Sequence, residues 1–213
     1  MKYTIQTLYE KMLAEMGPQG WWPAETKIEV AIGAILVQNT NWRNVARSLA
    51  VLRKETALEP QRILRLSKDK LIELIRPSGF YKNKSRSLLA LLAWLAEEDF
   101  DYAKIKRKFG AGLRKELLAL YGIGEETADV LLVYVFDEAE FIADRYAQRL
   151  MAALGLQRAD SYRKLKEEIT LPAGFSYQAA QEFHGLIDNF GKHYLKHPAD
   201  FANSFLADAT LEY

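Results

Sequence analysis

From Leu113 to Val135 two apolar stripes of helical spacing are separated by little more than Gly122-Ile123-Gly124. Leu113, Leu117 and Leu120 mark the first stripe; Ala128, Leu131, Leu132 and Val135 mark the second, at intervals that place side chains on one helix face. So short a connection makes the two helices a hairpin. Its glycines can take φ > 0 and admit a foreign backbone at close range. The second helix starts directly after them, so its first N–H groups point out of the turn, where a phosphate is attracted. Ile123 is placed to plug the helices together from inside. A Gly-x-Gly turn alone fits any αα-hairpin, and Glu125 and Glu126 read equally well as first-turn acids that complement the helix dipole.

The rest of the chain is predicted to be helical as well. Ile28, Ala31, Ile32 and Ile35 form one stripe, Leu88, Leu91, Leu92 and Leu95 another, and Phe183, Ile187, Phe190 and Tyr194 a last one. Breaks fall at Gly17–Gly20, Glu59-Pro60, Arg76–Gly79, Gly110–Gly112 and Leu171–Gly174, and period-2 alternation is nowhere sustained. The expectation is an all-α protein of about ten helices. A length of 213 residues with 49% hydrophobic residues suffices for one large domain or two small ones and argues against disorder. Cysteine is absent, which excludes disulfides, thiolate-held clusters or zinc, and a cysteine nucleophile. With no signal-peptide pattern and no apolar run of membrane-spanning length, a cytoplasmic location is expected, nucleoid-associated if the protein is bacterial. The net charge of +1 says little about nucleic acid, but Lys104, Lys106, Arg107, Lys108, Arg114 and Lys115 cluster within twelve residues. They read either as a solvated helix face or as a phosphate contact.

The stretch Leu120-Tyr121-Gly122-Ile123-Gly124-Glu125-Glu126-Thr127-Ala128 is followed by Phe141-Ile142-Ala143-Asp144, with Asp144 eighteen positions after Glu126 and Arg149 five beyond it. In that spacing the chain resembles the helix-hairpin-helix DNA glycosylase superfamily, the relatives of endonuclease III. Ile35–Thr40 resembles the family's hydrophobic-Gln-x-Thr segment, and Phe183-His184-Gly185 its His-Gly. Trp21-Trp22-Pro23 and Arg76-Pro77-Ser78-Gly79-Phe80-Tyr81 bring the resemblance nearest to the 3-methyladenine glycosylases that lack an iron–sulfur cluster. The matched blocks span about residues 28–192.

The resemblance implies a two-domain all-α fold, with residues 28–137 as a helical domain containing the hairpin and 1–27 with 138–213 as a second domain formed by both termini. Asp144 would be the catalytic carboxylate, in a cleft between the domains. Its other reading is a helix cap. A carboxylate under the sugar stabilises the positive charge that develops as the base departs, or activates water for attack on C1′. Trp21, Trp22, Pro23, Trp42 and Lys192 would form the base pocket, although a loop tryptophan can equally plug a domain junction. An electron-poor alkylated purine would stack well on indole. Gln38 or Asn39 would fill the gap left by the flipped base, or else cap their helix; Gly122, Ile123, Gly124 and Thr127 would bind the DNA backbone.

Two departures from the family pattern bear on mechanism. Bifunctional members carry a lysine where Glu126 stands, and glutamate cannot form a Schiff base. The implied enzyme is therefore monofunctional, using water and cutting no strand. The four cluster cysteines are missing, so no iron–sulfur cofactor is expected and the C-terminal helices must be held by apolar packing. Leu186 also replaces the lysine that follows His-Gly in the 3-methyladenine subfamily, which leaves that residue's role open. The hairpin of the superfamily often binds a monovalent cation through backbone carbonyls; no other metal is expected. The implied partner is double-stranded DNA with a damaged base, the protein acting as a monomer away from membranes. A glycosylase for uracil or an oxidised base, and a DNA-binding hairpin protein without catalysis, remain as alternatives.

Overall fold

The computed structural model describes residues 1–212. Thirteen α-helices occur among them: α1 (Ile5–Met16), α2 (Lys27–Leu36), α3 (Trp42–Thr56), α4 (Pro60–Leu64), α5 (Lys68–Ile75), α6 (Tyr81–Ala96), α7 (Tyr102–Phe109), α8 (Leu113–Ala119), α9 (Glu125–Tyr134), α10 (Arg145–Ala153), α11 (Tyr162–Glu168), α12 (Tyr177–Tyr194) and α13 (Pro198–Ala202). The count exceeds the expected ten because α4, α11 and α13 have seven residues or fewer, too few to show a period. Two-residue strands β1 (Lys2–Tyr3) and β2 (Thr210–Leu211) pair in parallel, a feature with no alternating pattern to announce it. No helix among the described residues is long and apolar enough to cross a membrane.

The chain divides into a hairpin unit, Ala24–Leu131, and a terminal unit made of Met1–Pro23 with the chain from Leu132 onward. The divisions differ from the expected 27/28 and 137/138. Glu25 and Arg53 pair within the hairpin unit, which draws in the residues before α2. The last turn of α9 bonds to α12, Gln181 Nε2 donating to Val133 O at 3.0 Å, which places Leu132–Tyr134 with the terminal unit.

In the hairpin unit α2 is buried on all sides from Glu29 to Leu36. Leu52, Ile75, Leu88 and Leu92 are buried in the same unit. Glu29 is tolerated there because Arg53 pairs with it and the Glu25 amide donates to it at 3.0 Å. In the terminal unit α12 is the central helix: Phe183, Ile187 and Phe190 are buried, and Tyr9, Phe141 and Phe175 pack around Phe183. Leu186 is fully buried in the same core. Both chain ends fasten to this unit. The Thr210 amide donates to Met1 O at 2.8 Å, the Leu211 amide to Leu154 O at 2.9 Å, and the terminal amine of Met1 to Asp208 O at 2.7 Å.

Candidate functional sites in the two units

The hairpin unit gathers three segments. Gly122 takes φ +74°, which glycine alone adopts without strain, and the space a Cβ would fill belongs to Ser87 of α6, whose hydroxyl would lie 1.9 Å from it. The close approach expected of a foreign backbone is thus made at Gly122 by the protein itself. Gly124 is the open glycine: it is exposed, with nothing within 4 Å of a virtual Cβ. Ile123 is buried, as a plug requires. Gln38 reaches across to the hairpin, its amide donating to Gly122 O and to the buried Thr127 hydroxyl, both at 3.0 Å. Gln38 and Thr127 are therefore internal struts that tie the loop after α2 to the hairpin. Asn39 is exposed at φ +53°, a conformation asparagine tolerates better than most residues.

Lys84 completes the connection. It is buried, donating to Leu36 O at 2.8 Å and to Ser78 O at 2.7 Å, and burial lowers its ammonium to about 8. The end of α2 and the turn before α6 share this one cation, which suits a helix C-terminus. Arg86 lies over the exposed Tyr121 ring at 3.6 Å. Phe80, singled out earlier only as part of a motif, is 65% exposed at φ +45°. An exposed aromatic in a strained conformation carries two costs, and such sites concentrate where function requires them. Trp42 begins α3 in this unit and is half-buried. Of the basic cluster, Lys104 and Lys108 pair with Glu98, while Arg114 forms a two-pronged pair with fully buried Asp129 at 2.7 and 3.2 Å. Arg114 is thus half-buried, its guanidinium turned inward onto Asp129.

Gly122→Ala is expected to destabilise the protein by about 1–3 kcal/mol, from overpacking against Ser87 together with the positive φ. DNA affinity should fall with it. Adding Ser87→Gly should recover the steric part only, which thermal melts of the single and double variants will resolve.

The terminal unit holds the carboxylate. Asp144 caps α10, accepting from the Ala147 amide at 2.8 Å. The side chain is 15% exposed, and burial pushes its carboxyl up to about 6 against the opposing pull of the Ala147 amide; Asp188 adds to the rise. Opposite it lies His184, 10% exposed, with Nε2 at 3.9 Å from Asp144 Oδ2. His184 Nδ1 contacts the Tyr134 hydroxyl at 2.8 Å, and that hydroxyl donates to Gln181 O at 3.2 Å. Burial lowers His184 to about 4 and raises Tyr134 well above its ordinary value.

The tryptophan loop is fastened to α12. Glu182 accepts from the backbone amides of Gln19 and Gly20, and Asn189 donates to Gln19 Oε1 at 2.5 Å. Gly185 is bare because Trp21 Cβ would lie 2.6 Å from a side chain there. Lys192 sits 5.1 Å from the Trp21 ring centre and pairs with Asp188. The Trp22 ring meets Tyr134 edge-on at 5.5 Å. Both tryptophans are half-buried and Pro23 is exposed. Trp21 Nε1 is buried with no hydrogen-bond partner among the described residues. Tyr134, His184 and Asp188 were not identified as site residues from sequence; His184 was visible only as half of a His-Gly motif.

These observations combine a helix–Gly-x-Gly–helix turn with a raised carboxylate at a helix cap eighteen positions beyond Glu126. The model of the HhH-GPD superfamily of base excision DNA repair proteins matches residues 32–173. The chain belongs to that superfamily. It is 40% identical over 188 residues to a protein of Methanocaldococcus jannaschii named as a DNA repair glycosylase, covering 86% of this chain and 84% of the relative. The crystal structure of the H. pylori 3-methyladenine DNA glycosylase bound to 1,N6-ethenoadenine is similar at TM-score 0.73 and 26% identity, over 92% of this chain and all of that one. A trapped endonuclease III–DNA covalent intermediate shares the fold at TM-score 0.71 and 21% identity, over 91% of this chain and 87% of that one.

As an HhH-GPD protein the chain is a base excision repair glycosylase whose substrate is DNA, with the all-α fold of that family. The hairpin carbonyls of Leu120 and Gly122 accept from the Ile123 amide and from Gln38. Among the described residues no group of three His, Asp or Glu side chains is arranged to hold a metal.

Proposed function

We propose that this glycosylase removes alkylated purines by hydrolysis of the N-glycosidic bond and does not cleave the strand. The observation that carries the hydrolytic reading is Glu126, which stands where bifunctional relatives have their amine nucleophile. Asp144, ionised above pH ~6, is the group that stabilises the developing positive charge on the sugar. The alkylated-purine reading rests on Trp21 and Trp22, linked through Tyr134 and His184 to Asp144, and on the similarity to a 3-methyladenine glycosylase.

On the DNA side, exposed Gly124 at the start of α9 and Arg86 offer phosphate contacts. Asn39 and Phe80 are the wedges that replace the extruded base, an apolar side chain between base steps being a recurrent device. One observation favours a second reading, a neutral lesion: Lys192 already places a cation over Trp21.

The test is release of free base from duplexes carrying 3-methyladenine, 7-methylguanine, 1,N6-ethenoadenine, uracil or 8-oxoguanine, with borohydride present in a parallel series. Alkylated bases should be released, leaving intact abasic strands and no trapped adduct. Efficient trapping would refute the hydrolytic reading; release of uracil or 8-oxoguanine alone would refute the alkylated-purine reading.

A further inference from the structure

The two contacts of the Tyr134 hydroxyl determine where His184 carries its proton. That hydroxyl has a single hydrogen. The Gln181 carbonyl, 3.2 Å away, can only accept. Both contacts are made at once only if Tyr134 donates to Gln181 while His184 Nδ1–H donates to the phenol oxygen at 2.8 Å. A neutral imidazole so arranged presents Nε2 as a bare acceptor. Neutrality is what burial imposes, since His184 is lowered to about 4.

Nε2 then faces a second acceptor, Asp144 Oδ2, at 3.9 Å, beyond hydrogen-bond distance. Two adjacent acceptors repel unless a donor with two protons joins them. A water molecule is the smallest such donor. Hydrogen bonds of ~2.8 Å to each acceptor span the gap with roughly a right angle at the water oxygen, near the angle between its own O–H bonds.

We infer that Asp144 Oδ2 and His184 Nε2 together seat the hydrolytic water, and that Tyr134 is the positioning residue that fixes the imidazole tautomer. This rests on the hydrolytic reading above. A water held by both protons has its lone pairs directed away from both acceptors, toward an incoming C1′. In the step, the water oxygen bonds to C1′ and the C1′–N bond breaks, its electron pair leaving with the base. One water proton passes to Asp144 Oδ2, the more basic of the two acceptors, and the other remains on the new sugar hydroxyl. An alkylated purine that enters as a cation departs neutral and needs no proton. His184 stays neutral throughout, its Nε2 holding the water in register while the proton moves to the carboxylate.

The tautomer is read directly by ¹⁵N NMR of the wild-type protein. The expected result is a protonated Nδ1 and a pyridine-type Nε2 on His184, with the preference lost in Tyr134→Phe. A protonated Nε2 in the wild type overturns the inference. In single-turnover base release, His184→Leu should be slower by about 10²-fold, because the water loses the second acceptor that orients it, with affinity for abasic-site DNA unchanged. His184→Gln, which restores an acceptor oxygen near Nε2, should recover part of the rate. Hydrolytic release by His184→Leu at the wild-type rate also overturns the inference. Wild-type release through a trappable adduct refutes the reading beneath it instead, and the NMR result still decides which atoms of the Tyr134–His184 pair carry protons.

Discussion

Asp144→Asn is expected to lose base release by at least ~10²-fold while raising thermal stability. The loss follows from removing the charge that meets the developing sugar cation. The gain follows from linkage. The folded-state value of about 6 lies above the ordinary 3.8, so the native protein binds this proton more tightly than the unfolded chain does. Stability therefore falls as pH rises through that window, and the ionised carboxylate costs about 3 kcal/mol above it. Asparagine removes the charge, and its carbonyl still caps α10 at the Ala147 amide. The melting temperature should rise by roughly 6–12 °C at pH 8. The difference should vanish below pH ~3, where both states of the wild type are protonated. Wild-type activity should drop about tenfold per pH unit below 6, with Asp188 and Lys192 opposing each other in setting the midpoint. A variant equally inactive but less stable would show that Asp144 serves the fold and does not strain it.

Arg114→Met is expected to destabilise the protein by on the order of 3 kcal/mol, because it strips the two-pronged partner from a fully buried carboxylate. Adding Asp129→Asn should restore much of that loss, since a buried amide needs no counter-charge. Denaturant titration of the two singles and the double will measure the coupling. A surface Arg114 would instead cost under ~1 kcal/mol and show no rescue. The same measurement separates Arg114 from its neighbours Lys106 and Arg107 as a candidate DNA contact.

The hairpin was legible in the sequence because glycine at a tight turn and apolar spacing on both sides are local signals. So was the place of Asp144, which caps a helix and whose carboxyl burial holds above the ordinary carboxylate range. Other parts were not legible because they depend on packing between distant positions. Tyr134 and His184 are fifty residues apart and meet only when the last turn of α9 lies on α12. Gln38 and Thr127 carry a recognisable pattern, yet their side chains face each other, and spacing does not tell a strut from a contact surface. Gly122 is required by Ser87, a partner thirty-five positions away that no turn rule names. The termini of the second unit were placed together by resemblance, but the short parallel strands that join them have no periodicity to read.

Those strands set an order of events during synthesis. The hairpin unit is continuous in sequence and is complete once Leu131 has left the ribosome, whereas β1 waits for β2 and Trp21 waits for α12. Domains tend to fold as they emerge. A nascent or truncated chain thus has its hairpin long before its carboxylate, imidazole and tryptophans share a structure.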